Sequence, residues 1–169
     1  MHFRCLAINN VMMHNNCDCY RKIYAIHGIM DDFLKRLPGY NLRRASTVIL
    51  SELTDGLSEL DLRPSDASML ITIDDHPRVT PSELGRILGI QRANMVPMVV
   101  RLEDRGEIVR IKRDGRSFGL ELTQKGSELC NRAKAILLKY EENFLKRVPP
   151  EHREHLLPAL RALWDHSAS

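Results

Sequence analysis

Apolar residues recur along most of this chain with a helical period, and one short stretch alternates instead. From Asn41 to Leu60, Leu42, Ile49, Leu53, Leu57 and Leu60 fall at helical spacings, which predicts a helix bounded by Pro38-Gly39 and by Arg63-Pro64. Pro64 suits the first position of a second helix reaching about Ile73, and His76-Pro77 stops it. Thr80-Pro81-Ser82-Glu83 is a helix-start signal. The Thr80 hydroxyl can accept from the Glu83 backbone N–H, Pro81 needs no partner, and Glu83 can reach back. Leu84, Ile87 and Leu88 give this helix an apolar face, and Gly89 ends it. A longer helix starts at Gln91 and runs to Arg105, with Gly106 closing it. A short helix, a tight turn and a longer helix in series form a helix-turn-helix layout.

After Gly106 the period changes. Ile108 to Lys112 reads as a strand, Arg113-Asp114-Gly115-Arg116 as a hairpin tip, and Phe118, Leu120 and Leu122 as the alternating face of a return strand. Thr123 caps a long helix to about Val148, with Leu129, Ala133, Ile136, Leu137, Tyr140 and Phe144 on one stripe. Val148-Pro149-Pro150 breaks the chain, and a last helix carries Leu156, Leu157, Leu160, Leu163 and Trp164. Residues 1–29 show no clear period and almost no acid, so 1–37 reads as an appendage, with Met30 opening the well-patterned part.

The length of 169 residues suits one domain with a small appendage, and 43% hydrophobic content is enough for a core. No apolar run is long enough to span a membrane, and neither a secretory signal nor a disulfide framework is visible among four cysteines. A cytoplasmic location is the expectation. The charge distribution adds more. Between Arg92 and Arg116 stand seven basic residues (Arg92, Arg101, Arg105, Arg110, Lys112, Arg113, Arg116) against four acidic ones, while the rest of the chain is balanced. A local basic stretch on a balanced protein is a footprint for a polyanion, or else an ordinary solvated face.

On a helical wheel, Met95, Met98, Val99 and Leu102 of the 91–105 helix point one way and must face the core. Ala93, Val96, Pro97, Val100 and Asp104 point the other way, flanked by Arg92 and Arg101. A small apolar outer face with basic edges fits the DNA major groove, where methyl contacts and arginines read base edges; another protein segment is the alternative cover. The basic hairpin tip suits a minor groove, with Asp114 orienting an arginine. Pro97 removes one backbone bond from that helix, which predicts a bend near Ala93, and Gln91 is a poor cap.

The run from about Leu60 to Gly126 resembles the winged-helix core of the MarR family of bacterial transcriptional regulators. The resemblance is carried by Leu84 to Ile90, by Val99-Val100-Arg101-Leu102-Glu103-Asp104-Arg105-Gly106, by Asp114-Gly115-Arg116-Ser117 and by Leu122-Thr123-Gln124-Lys125-Gly126. It implies a mainly α fold with a small β wing. A DNA-binding lobe over about 62–123 would be flanked by dimerisation helices over about 41–60 and 124–165, within a domain of 38–165. It also implies a homodimeric repressor that grips a pseudo-palindromic stretch of double-stranded DNA and is released by a small aromatic or phenolic effector. By match to the motif, Arg116 is the wing arginine and Gln91 to Val96 the base-facing part of the recognition helix. The full expected contact set is Ser82, Gln91, Arg92, Ala93, Asn94, Val96, Pro97, Arg101, Arg113, Asp114 and Arg116.

Packing points to a dimer as well, because the terminal helices carry apolar stripes that the central module is too small to cover; an intramolecular bundle of the same helices in a monomer is the alternative. Effector walls fall loosely on the 41–60 and 64–73 helices and the start of the 124–148 helix; Arg43 and Arg44 are able to pair with an acidic ligand but read first as solvated surface arginines. No catalytic constellation, cofactor motif or metal set is evident; His152 with His155, and His14, Cys17, Cys19 and His27, are incomplete or atypical as zinc ligands. Two other readings stay open: a redox- or metal-sensing regulator of the same fold, using the N-terminal cysteines or Cys130, and a winged-helix module that binds protein.

Overall fold

The computed structural model describes residues 33–113 and 117–165. Six helices and one hairpin follow in the order α1 (Pro38–Ser58), α2 (Pro64–Asp75), α3 (Pro81–Leu88), α4 (Arg92–Asp104), β1 (Ile108–Lys112), β2 (Phe118–Leu122), α5 (Gln124–Lys146) and α6 (Pro150–Arg161), after a single 3-10 turn at Phe33–Arg36. The described chain is therefore mainly helical with a small two-stranded sheet, as its patterning requires. Two compact units divide within α1, one ending at Thr47 and the other beginning at Val48.

In the first unit, Asn41 ties the 3-10 turn to the start of α1. Its Nδ2 donates to the carbonyls of Lys35 at 2.7 Å and Leu37 at 2.9 Å. Arg43 lies over the Tyr40 ring at 5.4 Å. The helix begins at Pro38, three residues before the start expected from the apolar pattern. Proline lacks only an N–H that the first helical position leaves unpaired anyway, so Pro38-Gly39 begins the helix instead of preceding it.

The second unit holds the core. Leu57, Met69, Leu70, Ile73, Leu84, Met95, Leu102, Ile108 and Leu120 are fully buried, which joins the end of α1, α2, the helix-turn-helix and the hairpin around one interior. Leu60 packs in this core but from the turn after α1, not from the helix itself; Leu163 and Trp164 likewise lie beyond the end of α6. In the α1–α2 turn, Asp61 takes a left-handed φ of 52° and Leu62 closes back on the Leu57 carbonyl at 3.3 Å. The strands pair antiparallel with Ile108 opposite Leu122 and Lys112 opposite Phe118. Val79, in the α2–α3 link, adds a bridge to Leu120 on the other edge of β2. Cys130 and Ala133 bury the inner face of α5, whereas α6 has no buried residue.

Candidate nucleic-acid interface

The helix-turn-helix is built as its sequence directs. The Thr80 hydroxyl accepts from the Glu83 N–H at 3.2 Å, while a Glu83 carboxylate oxygen accepts from the Thr80 N–H at 2.8 Å and from the Thr80 hydroxyl at 2.8 Å. These bonds, the backbone one foremost, hold the Glu83 carboxyl below the usual range. Gly89 ends α3 at φ +65°, a left-handed turn that suits glycine, and the Ile90 N–H then returns to the Gly85 carbonyl at 2.8 Å. That turn aims α4 across the lobe. Gln91 stands at its N-cap without a side-chain cap bond, and Pro97 lies inside the helix, which continues through it to Asp104.

The two faces of α4 separate as the wheel requires. Met95, Val99 and Leu102 are buried and Met98 is half-buried. Gln91, Arg92, Ala93, Asn94, Val96 and Pro97 are exposed, Val96 by 54%. Arg92 has no ion pair or hydrogen-bond partner for its guanidinium among the described residues, and the same holds for Lys112 and Arg86. Ser82 is exposed at the start of α3, and Arg86 follows it by one helical turn on the same side. Between the start of α3, one side of α4 and the hairpin lies a groove of about 370 Å³. Ser82, Arg92, Val96, Arg110, Ser117 and Phe118 stand along it.

Other expected contacts are placed differently. Arg101 sits on the edge of α4, but its guanidinium is turned onto the buried carboxylate of Asp66 on α2. Arg113 leaves the hairpin toward Glu83 at 3.1 Å, so the wing base is tied to the α3 cap. Asp114 and Arg116 lie outside the described residues. Sequence reasoning passed over Arg86, which the Ser82 helix face carries into the open. It also passed over Arg110 as a site residue: Arg110 pairs with Glu103 at 2.9 Å and stacks on the Phe118 ring at 4.6 Å, forming one wall of the groove. Alternation on β1 and β2 puts Arg110 and Phe118 near each other, but only the register makes the stack.

The alternative chemistries find less. Cys130 is buried and its thiol is pushed up, first by burial and then by the nearby Asp74 carboxylate, which is the reverse of an activated thiolate. The N-terminal cysteines, with His14 and His27, lie outside the described residues. His152 and His155 are exposed on α6, and among the described residues no cluster of three or more His, Cys, Asp or Glu could hold a metal ion. No helix among them is long and apolar enough to cross a membrane.

Known proteins share this fold and sequence pattern. The sequence model of the MarR family matches residues 60–117, which run from the end of the α1 turn to the wing. The HTH-type transcriptional repressor Rv2887 of Mycobacterium tuberculosis H37Rv is 30% identical over 119 residues, covering 69% of this chain and 86% of that protein. Among solved structures, the transcriptional repressor CouR bound to a 23-mer DNA duplex superposes with a TM-score of 0.73 at 31% identity, over 81% of this chain and 99% of that one. CouR bound to p-coumaroyl-CoA gives a TM-score of 0.73 at 28% identity, over 82% of this chain and 99% of that one. With a repressor at this identity matched over most of its length, this chain belongs to the MarR family.

Proposed function

We propose that the protein is a homodimeric transcriptional repressor that reads duplex DNA with α4 and the wing and releases it on binding a small aromatic acid or its thioester. The observation that carries this reading is the outward row Gln91, Arg92, Ala93, Asn94 and Val96, with an unpaired guanidinium at Arg92 beside an open groove. Small side chains there suit thymine methyls, and Arg92 is free to fork onto a guanine edge. Ser82, Arg86 and Lys112 supply phosphate contacts around it, which position the lobe without reading sequence. Arg116, with Asp114 orienting it, enters the minor groove in this reading by its match to the family's wing motif. Arg113 and Arg101 support the surface through Glu83 and Asp66.

Pairing is supported by apolar side chains left in the open on the terminal helices and just beyond the last of them. Leu138 and Trp164 are each 68% exposed, and Leu157 is also uncovered. A second copy buries such residues and sets two copies of α4 about 34 Å apart along DNA, which requires an inverted repeat. The effector class is supported by p-coumaroyl-CoA in the related repressor.

The reading is tested by light scattering together with duplex binding across a salt series. A species of twice the 19.4 kDa chain mass is expected. Its affinity for a selected inverted repeat should fall steeply with salt, and aromatic acyl-CoA thioesters or free aromatic acids should release it. A protein that stays monomeric and ignores every duplex at low salt overturns it.

A further inference from the structure

The two ends of α4 are held in different ways. At the C-terminal end, Arg105 donates through Nε to Glu107 at 2.7 Å and through Nη1 to the Asp61 carbonyl at 2.6 Å. One turn earlier, Arg101 pairs with Asp66, whose carboxylate is 1% exposed and also accepts from the Arg63 N–H at 3.3 Å. The Arg101 Nε is itself buried without a partner among the described residues, so the hold of this guanidinium on the lobe runs through Asp66.

The N-terminal end, which carries the base-facing residues, is packed on the core through Met95 but has no side-chain hydrogen bond or ion pair holding it among the described residues. Gln91 contributes no cap bond. Pro97 has no N–H to give the Ala93 carbonyl, and its ring crowds that carbonyl, so the backbone ladder is weakest between the exposed first turns and the anchored end. A helix with such a joint does not pass its orientation along the backbone alone; side-chain attachments must set it. Arg101 lies four residues past Pro97, on the same side of the helix, and is the nearest charged attachment beyond the joint.

We propose that Asp66 is a positioning residue for DNA reading: by holding Arg101 one turn beyond Pro97, it fixes the tilt at which Arg92 to Val96 meet the duplex. This rests on the reading that the α4 surface binds DNA. Asp66 is buried and reaches α4 through Arg101, so in this reading it touches neither base nor phosphate. Its effect therefore falls on sequence discrimination and depends on the proline.

The test is a double-mutant cycle of Asp66→Asn and Pro97→Ala, read as affinity for an operator obtained by in vitro selection and for an unrelated duplex of equal length. Asp66→Asn alone should weaken operator binding about tenfold while leaving the unrelated duplex within about twofold. In the Pro97→Ala background, where an unbroken ladder carries the orientation, the same change should cost less than about threefold. Loss of equal size on both duplexes, equal loss in both backgrounds, or no loss at all overturns the proposal. If Asp66→Asn does not fold, Arg101→Lys, which keeps a charge opposite Asp66 but not the planar fork, takes its place in the cycle under the same criteria. A native protein that binds no duplex defeats the DNA reading itself, which is a different result from a native protein that binds and a variant that binds equally well.

Discussion

Gly126 is the third residue of α5, and adding one methyl group to it should cost the protein more than any surface change. A Cβ built there lies 1.9 Å from the Glu107 carbonyl oxygen and 2.9 Å from its carbon, whereas ordinary carbon–oxygen contacts sit at about 3.3 Å. The obstacle is backbone, so no rotamer relieves it. Neither side can give freely. Glu107 and Ile108 are fully buried, and the same carbonyl accepts the Thr123 N–H at 3.0 Å, while the Thr123 hydroxyl accepts from the Gly126 N–H at 3.0 Å. Separating them sacrifices the bond to Glu107, about 1 kcal/mol, and the α5 cap, about 1 kcal/mol, and adds overpacking strain of about 1–3 kcal/mol. Alanine regains about 0.5–1 kcal/mol over glycine within a helix, which leaves a net loss of about 3 kcal/mol. For a chain of this size that lowers Tm by about 10 °C. Thermal melting followed by circular dichroism, at one fixed protein concentration, measures it. Gly39→Ala, where an added Cβ meets nothing, is the control and should not lower Tm. A Gly126→Ala protein that melts at or above the native temperature would refute the packing argument.

Two other outcomes are expected. The Glu83 carboxyl is lowered by the Thr80 bonds, so its contribution is complete at neutral pH and fades as pH falls through its folded value, below the ordinary carboxylate pKa of about 4.3. The Tm gap between the native protein and Glu83→Gln should therefore be steady from pH 7 to 5 and close toward pH 3; a gap that persists at pH 3 contradicts the assignment. Arg92→Ala should relax base preference at one or two operator positions by about 1–3 kcal/mol, measured by competition among variant duplexes. A uniform loss across all sequences would make Arg92 a phosphate contact instead.

Local chemistry explains what could be read before the fold was known. The Thr80–Glu83 cap, the Gly89 turn and both strands depend on residues a few positions apart, and all stand where the sequence puts them. The buried stripe of α4 follows from period alone. The fate of its arginines does not. Arg101 lies on the predicted edge, but which neighbour claims its guanidinium depends on Asp66, thirty-five positions away. Arg113 and Glu83 are thirty apart, and Arg110 meets Phe118 only through the strand register. Counting charge along the chain therefore overstated the free cations on this face, since four arginines of the basic segment (Arg101, Arg105, Arg110 and Arg113) are already paired. Glu107, one of the four acidic residues in that count, is fully buried against Arg105. The early start of α1 was missed because a Pro-Gly pair signals both a break and a first helical turn.

The bridge from Val79 to β2 bears on how the hairpin is held to the lobe. A lone two-stranded hairpin is marginal in water. Here the Leu120 N–H donates to the Val79 carbonyl at 2.9 Å and the Arg78 N–H to the Leu120 carbonyl at 3.0 Å, which stitches β2 to the segment leading into α3. Gly119 lets that segment pass, since a Cβ there would lie 2.3 Å from the Arg78 carbonyl oxygen. The base of the wing and the entrance to the helix-turn-helix consequently open and close as one cooperative unit. Fraying of the hairpin stem therefore also breaks the backbone bonds that lead into α3.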